Sequence, residues 1–593
     1  MDSSSFRNLP DELLEAIVFY LPPDATLAFG STCRACNKIT YEPLVWRRHC
    51  RQRWHYWQDK DDIDERLHAP PVQTKWRQIY NERAMVDKQA LANFEALLGT
   101  QQYRIQRIEE ISNFGYGIKD LFLALRDDTP DDAEDVLARR YYANAVLGQL
   151  HRGTALEKWA RVQKRQMVAL EEVLGAYDLF VLTGKRGDLS DVEKELDRLA
   201  AGIRARDPEF DALSIRVKAI RVAKYLRSEQ LVGNPNEHDY HALRNNFISI
   251  ALFDSVHSSL PLQSVAIYCA VARRLGVNAK PSNYPYHVHA VIEAPSDVTL
   301  DGKRREDSGE LTPESADELM HMDPWRTSDE VPRDSLTRRL IQMGVQPPQH
   351  AYHLGSTSNL EVALRTGRNI MNSVQEVRQN QQAIGGRPSG QPDVDAAWYS
   401  MLWSMMILGD SNPNQTLHRR RQVLPYLIEH YQTHFPEDLS FIEHTLVPMF
   451  DSERELHVLM HLITAARKAD QNKKAPSPRS AATSHLRYKV GQYFHHKRYP
   501  YEGFVIGWDV KCSAEDRWIQ QMRVDDLPRG RNQPFYHIVA DDKSVRYVAE
   551  ENINILEHKP AAPLMDLAGR YFNRWDDEIK AFVSNIKDEY PDD

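Results

Sequence analysis

The apolar residues of this chain change period across one polar stretch, Lys468 to Ser484, which mixes Lys, Ser, Ala and Pro with no apolar periodicity. Before it, apolar residues mostly recur at helical spacing. After it, short β-branched and aromatic runs such as Phe504-Val505-Ile506 and Phe535 to Val539 stand between Gly and Pro turns. One cooperative core cannot serve both patterns, so the chain must be multidomain. Its 593 residues agree with about three to five folding units.

Composition narrows the function classes. Hydrophobic residues make up 42% and charged residues 27%, which is ordinary for a folded protein. With 75 Lys and Arg against 84 Asp and Glu, the net charge is −9, so no global basic field draws the chain to nucleic acid or anionic membrane. Five Cys, at 33, 36, 50, 269 and 512, are too scattered for a disulfide framework, and no apolar run approaches the roughly 18 residues that span a bilayer. The start, Met1-Asp2-Ser3-Ser4-Ser5, has no basic segment followed by an apolar one. The expected location is therefore cytoplasmic, nuclear or both.

Residues 9 to 50 read as a compact helical unit. Pro10, Asp11 and Glu12 suit a helix start, and Leu13, Leu14, Ile17, Val18 and Leu21 keep a helical period until Pro22-Pro23. Asp24 is the expected N-cap of a second helix, and Pro43-Leu44-Val45-Trp46 opens a third. So small a unit, this rich in apolar residues, calls for a partner to cover them. The series Leu9-Pro10-Asp11-Glu12-Leu13-Leu14, Ile17, Leu21, Leu27, Cys33-Arg34, Asn37, Leu44 and Trp46 resembles an F-box. That resemblance implies docking onto the Skp adaptor of a cullin-based ubiquitin ligase, with Leu9, Pro10, Leu13, Ile17, Leu21, Leu27 and Trp46 as adaptor-binding residues. Cys33-x-x-Cys36 has no second pair, and in a helical setting it reads as local packing.

Residues 75 to 230 are helix-rich, with Glu193 to Leu199 a typical amphipathic stretch. Ser264 to Gly276 then reads as a helix with Val265, Cys269 and Ala272 on one stripe, and Val288 to Glu293 as a strand. Gly302 to Pro313 and Gly385 to Gly390 read as loops. Leu260-Pro261-Leu262-Gln263-Ser264, Ile267-Tyr268, Val271 to Val277, Tyr284-Pro285-Tyr286-His287 and Met322-Asp323-Pro324 resemble the transglutaminase-like domain of the bacterial SirB family. Active members of that superfamily place a Cys at the start of a buried helix, followed by His and Asp. The resemblance puts His287 and Asp323 at the last two positions and Pro261 or Leu262 where the Cys would stand.

Without a thiolate no acyl-enzyme can form, so the domain is expected to be inactive and His287 and Asp323 vestigial. Cys269, two turns into the helix on an apolar stripe, is a poor substitute. A metal reading uses His287 and His289 on one strand face with Asp323 as a 2-His-1-carboxylate set, but ordinary buried or exposed histidines are the preferred account. The helices from 360 to 468 resemble the tetratricopeptide-like tail of the same family.

Tyr488-Lys489-Val490-Gly491-Gln492, His496-Lys497-Arg498-Tyr499, Gly507-Trp508-Asp509, Leu527-Pro528-Arg529-Gly530, Gln533-Pro534-Phe535-Tyr536 and Arg546 to Asn552 resemble the HspQ or YccV domain, also called hemimethylated-DNA-binding, a small β-barrel-like fold. Lys497, Arg498, Arg529, Arg531, Phe535 and Tyr536 are the expected substrate or DNA contacts. Residues 485 to 560 carry 12 Lys and Arg against 11 Asp and Glu, which is weak support for DNA.

The expected organisation is an F-box at 1–55, a helical region at 56–167, an α+β transglutaminase-like domain at 168–355, a helical tail at 356–467, a linker at 468–484, and a small all-β, barrel-like domain with a C-terminal extension at 485–593. The expected function is the non-catalytic substrate-recognition subunit of an SCF-type (Skp-cullin-F-box) E3 ubiquitin ligase, with no cofactor and no metal. Its partners would be the adaptor, the cullin and an unidentified protein substrate. The alternative is a DNA- or chromatin-associated protein acting through residues 485 to 560.

Overall fold

The computed structural model describes residues 9–184, 186–234, 239–296, 298–303, 319–384, 392–409, 412–450 and 453–593. The loops expected at 304–313 and 385–390 lie outside the described residues. The chain forms two compact units, one of residues 1–150 with 435–593 and one of residues 151–434.

Among the described residues the first unit opens with four short helices, α1 (Asp11–Tyr20), α2 (Pro23–Gly30), α3 (Arg34–Ile39) and α4 (Pro43–Arg53). Proline sets three of the starts: Pro10 is the residue before α1, and Pro23 and Pro43 take first-turn positions where no intrahelical N–H is needed. Asp24 is therefore inside the first turn of α2 and Pro22 holds the cap position, contrary to the sequence expectation. Helix α3 was not foreseen. The Cys33 sulfur caps it, accepting from the Cys36 N–H at 3.5 Å, which gives the Cys pair a local role. Leu14, Val18, Ile39 and Val45 close a small core, and Trp46, Cys50, Trp54, Trp76 and Tyr80 close a second one beside it.

Segments far apart in sequence complete this unit. Asp470 accepts the Ile105 and Gln106 N–H groups at 3.0 and 3.2 Å, capping helix Arg104–Ser112 with a side chain from helix Glu453–Gln471. Arg104 and the Tyr142 hydroxyl both donate to the Arg570 carbonyl, at 3.2 and 3.0 Å. The C-terminal region is a five-stranded antiparallel sheet in the order β7-β6-β5-β4-β8, with β4 Tyr493–His496, β5 Glu502–Asp509, β6 Phe535–Ala540, β7 Val545–Ala549 and β8 Ile553–Ile555, and a separate β9–β10 pair (Phe572–Asp576, Ala581–Ser584). Aromatic residues fill the core between them: Tyr493, Phe494, Phe504, Trp508, Tyr536, Phe572, Trp575 and Phe582. Gly491, at φ 95°, passes so close to the Phe582 carbonyl that a Cβ would collide with it.

In the second unit a nearly all-buried helix, Pro261–Arg274, packs against helices Leu189–Arg206 and Ile215–Ser228 and a three-stranded antiparallel sheet, β1 (Ala279–Pro281), β2 (Ala290–Glu293) and β3 (Leu319–Met322), in that spatial order. Gly276, at φ 78°, turns the chain from the helix end towards β1. Helices Asn359–Ile384, Val394–Ile407 and Pro413–His434 follow. Polar groups fix the start of the buried helix: the Gln263 amide donates to the Asn246 carbonyl at 2.7 Å, and Ser264 Oγ accepts the Gly233 N–H at 3.0 Å. No helix among the described residues is long and apolar enough to cross a membrane.

Candidate functional site

The first candidate is a face of the N-terminal helices. Leu13 and Ile17, four residues apart and hence on one side of α1, are 52% and 40% exposed, while Leu14 and Val18, one position on, are buried. Leu27 on α2 and Leu44 on α4 are likewise exposed, at 41% and 48%. Pro10 is exposed, and Leu9 and Leu21 are half-buried against the small core. Trp46 departs from this set. It is fully buried, donates its indole N–H to the Thr40 carbonyl at 2.6 Å and packs on Tyr80, so it is a core residue and is unavailable as a docking contact.

The second candidate lies beside β2 and β3. The β2–β3 ladder pairs Ala290 with Met322 and Val291 with His321, so His289 and Asp323 stand at the same end of the two strands. His287 Nε2 is 2.8 Å from Asp323 Oδ2, with the carboxylate buried and the imidazole half-buried. Burial alone would raise the Asp323 pKa. The hydrogen bond and charge of His287, with His289 and Arg326 behind them, outweigh it and hold the carboxyl below its usual range. His289 is 1% exposed and neither ring nitrogen has a hydrogen-bond partner; desolvation lowers its pKa to about 3. His321 is equally buried, its nitrogens also unpartnered, and desolvation lowers its pKa to about 4.

The expected nucleophile position falls near Pro261 or Leu262, both buried. Cys269 sits in the apolar core of the same helix, and burial raises its thiol far above the ordinary range. Sequence reasoning missed Trp325, which donates its indole N–H to the Ser259 carbonyl at 2.9 Å and lies 5.8 Å from the His287 ring. Its place directly after Met322-Asp323-Pro324 was the available signal. A histidine and carboxylate so arranged can hold a proton or a cation, while Cys269, the cysteine of this unit, lies in the apolar core.

The third candidate is the set of basic and aromatic residues near the C-terminal sheet. Phe535 and Tyr536, expected as contacts, are instead core residues, 1% and 0% exposed, because alternate β6 side chains on both faces meet packed neighbours. Arg529 Nη1 donates to Glu550 at 2.8 Å, and Arg531 pairs with Asp525 at 2.6 Å and Asp516 at 3.3 Å. Lys497 and Arg498 are exposed; the Lys497 ammonium donates to the Glu551 carbonyl at 2.8 Å.

Three family models match the chain in this order: F-box-like at residues 6–52, the transglutaminase-like superfamily at 190–368, and hemimethylated DNA-binding protein YccV like at 486–579. Proteins named F-box only protein 21 from Pongo abelii and Homo sapiens are each 22% identical, and one from Mus musculus 21%, in matches covering all of this chain and 92% of each relative. No solved structure matches significantly. Over its whole length the chain is similar to proteins named F-box only protein 21, and it carries F-box-like, transglutaminase-like and YccV-like matches in that order.

Proposed function

We propose that this protein is the substrate-recognition subunit of an SCF-type E3 ubiquitin ligase. The observation that carries the reading is the exposure of Leu13, Ile17, Leu27 and Leu44 on a helical unit whose own core is already closed by Leu14, Val18, Ile39 and Val45. A Skp-type adaptor covers that face and links the chain to a cullin, while the folded remainder binds a protein and presents its lysines to a ubiquitin-charged E2. The receptor then contributes orientation and effective concentration, with no acid, base or nucleophile of its own.

In this reading the transglutaminase-like domain performs no acyl transfer; the resemblance puts the nucleophile near Pro261 or Leu262, neither of which is a thiol, and Cys269 is sealed in the core. Protein is the favoured target of the C-terminal domain, because two of its four candidate cations, Arg529 and Arg531, are already in ion pairs with acids of the same domain. The test is affinity purification of the wild-type chain and of Leu13→Ala/Ile17→Ala, followed by ubiquitin-remnant mapping. Adaptor and cullin should accompany the wild type alone, and a defined set of proteins should lose ubiquitin marks in the variant. Equal recovery of adaptor with both chains would remove the proposal's basis.

A further inference from the structure

We propose that His287, His289 and Asp323 form a three-ligand site for a divalent transition-metal cation of the zinc class, an inference independent of the receptor reading. One donor atom from each residue lies within 4.8 Å of the others. Two ligands of a tetrahedral zinc ion, each at about 2.0 to 2.2 Å from it, stand roughly 3.4 Å apart. Small side-chain rotations therefore close this set around an ion. Two imidazoles and one carboxylate suit zinc, iron, nickel or copper better than calcium or magnesium, which take oxygen ligands.

The second observation is His289. Its ring is buried, lies 5.2 Å from that of His287, and has no hydrogen-bond partner on either nitrogen. A buried imidazole loses its hydration, and that loss is uncompensated unless something else binds a nitrogen lone pair. A cation in the cluster supplies that partner, and it also takes the place of the proton shared by His287 and Asp323. The backbone holds His289 firmly: its N–H donates to Ser282 Oγ at 3.0 Å and its carbonyl accepts the Ser282 N–H at 2.8 Å. Tyr284 meets the ring edge-on at 4.8 Å. The His287 side chain is 16% exposed beside the 90% exposed Tyr286, which gives an ion a route from solvent.

This reverses the preference drawn from sequence, because the burial and vacant nitrogens of His289 are invisible in the letters. Three protein ligands also leave one coordination position for water or a substrate oxygen.

The test uses the full-length protein stripped with EDTA and titrated with Co2+ while visible absorption is recorded, then with Zn2+. One equivalent of Co2+ should give d–d bands that Zn2+ abolishes. His287→Ala, His289→Asn and Asp323→Asn should each weaken binding at least about tenfold, whereas His321→Asn should bind as the wild type does. His287→Ala is the decisive variant, since this side chain reaches solvent and can be removed with the far-UV circular dichroism unchanged. Wild-type protein with no such bands, or folded His287→Ala with bands and affinity unaltered, would overturn the assignment.

Discussion

Arg529 donates from Nη1 to Oε1 of Glu550 at 2.8 Å, and that carboxylate is buried to 1% exposure. Glu550 also accepts the Tyr536 hydroxyl at 3.0 Å and the Arg487 N–H at 3.3 Å. The cation that looked free for a ligand is thus engaged in the domain's own structure. Arg529 is itself about half exposed, so water screens the pair. Arg529→Ala should cost only about 1 kcal/mol, and Glu550→Ala, which strips the buried Tyr536 hydroxyl of its acceptor, about 3 kcal/mol. Chemical denaturation of the two variants checks the order.

Leu13 and Ile17 should separate binding from folding. Both are well exposed in the free chain, so Leu13→Ala/Ile17→Ala should leave the melting temperature nearly unchanged while adaptor affinity falls tenfold or more, about 2 to 5 kcal/mol of interface contacts. Trp46→Ala should do the reverse of a clean binding variant, destabilising the helices by about 3 to 5 kcal/mol through the cavity it leaves. Calorimetry and pull-down on the same preparations measure both.

Local punctuation is the part of this molecule that letters carry. Pro23 and Pro43 start helices because proline's fixed φ suits a first turn. The β runs at Phe504 and Phe535 form strands because alternating apolar side chains there have two packed faces. His287 and Asp323 were expected at one site and are hydrogen-bonded. Long-range pairing left no such trace. Nothing near Asp470 reveals that it caps a helix 364 or 365 positions earlier, and nothing near Arg570 shows that its carbonyl receives Tyr142. The same holds for Trp46, Phe535 and Tyr536. Whether an aromatic residue faces a partner or a core depends on neighbours that the sequence does not list.

Cysteine labelling should map burial, with no fold-dependent reactivity at Cys269. Cys33 and Cys512 are half-buried, whereas burial pushes the Cys50 thiol up to about 12 and the Cys269 thiol higher still. Native protein treated with a maleimide, then digested for mass spectrometry, should carry label at Cys33 and Cys512. Cys269 should be modified only after unfolding. Stoichiometric labelling of native Cys269 by a thiol-protease probe would show that the transglutaminase-like domain carries an active nucleophile.

His496 should make the C-terminal sheet acid-sensitive. Its Nδ1 accepts the N–H groups of both Arg498 and Tyr499, at 3.0 and 3.1 Å, which only the unprotonated nitrogen can do. Desolvation, followed by Arg498, His495 and Arg546, lowers its pKa to about 4. The unfolded chain, titrating near 6.5, binds this proton first. The stabilisation is therefore complete above pH 6.5 and is lost as pH falls towards 4, at up to about 1.4 kcal/mol per pH unit. His496→Asn keeps an acceptor but does not titrate. Denaturation midpoints between pH 7.5 and 4.5 should show a shallower acid limb in that variant.

DNA binding by the full-length protein should be weak and indifferent to methylation. A protein that neutralises several phosphates needs clustered free cations, and its affinity falls steeply with salt. Of the four cations expected as contacts, Arg529 and Arg531 are paired with Glu550, Asp525 and Asp516, and the exposed Lys497 and Arg498 are left to attract a backbone. Residues 561 to 593 carry 4 basic against 8 acidic residues, and part of that excess is neutralised by cations of the segment that precedes the domain. Asp593 pairs with Arg479 and accepts the Trp508 indole N–H at 3.0 Å, and Glu589 pairs with Lys474 at 3.0 Å. Asp577, Glu578, Asp588 and Asp592 add further negative charge to the same segment. Fluorescence anisotropy with hemimethylated, fully methylated and unmethylated duplexes at physiological salt measures the outcome. Similar, weak isotherms for all three should result, and Lys497→Ala/Arg498→Ala should reduce them together, because a phosphate contact carries no sequence information. Tight binding that distinguishes the hemimethylated duplex would instead make DNA the ligand of this domain.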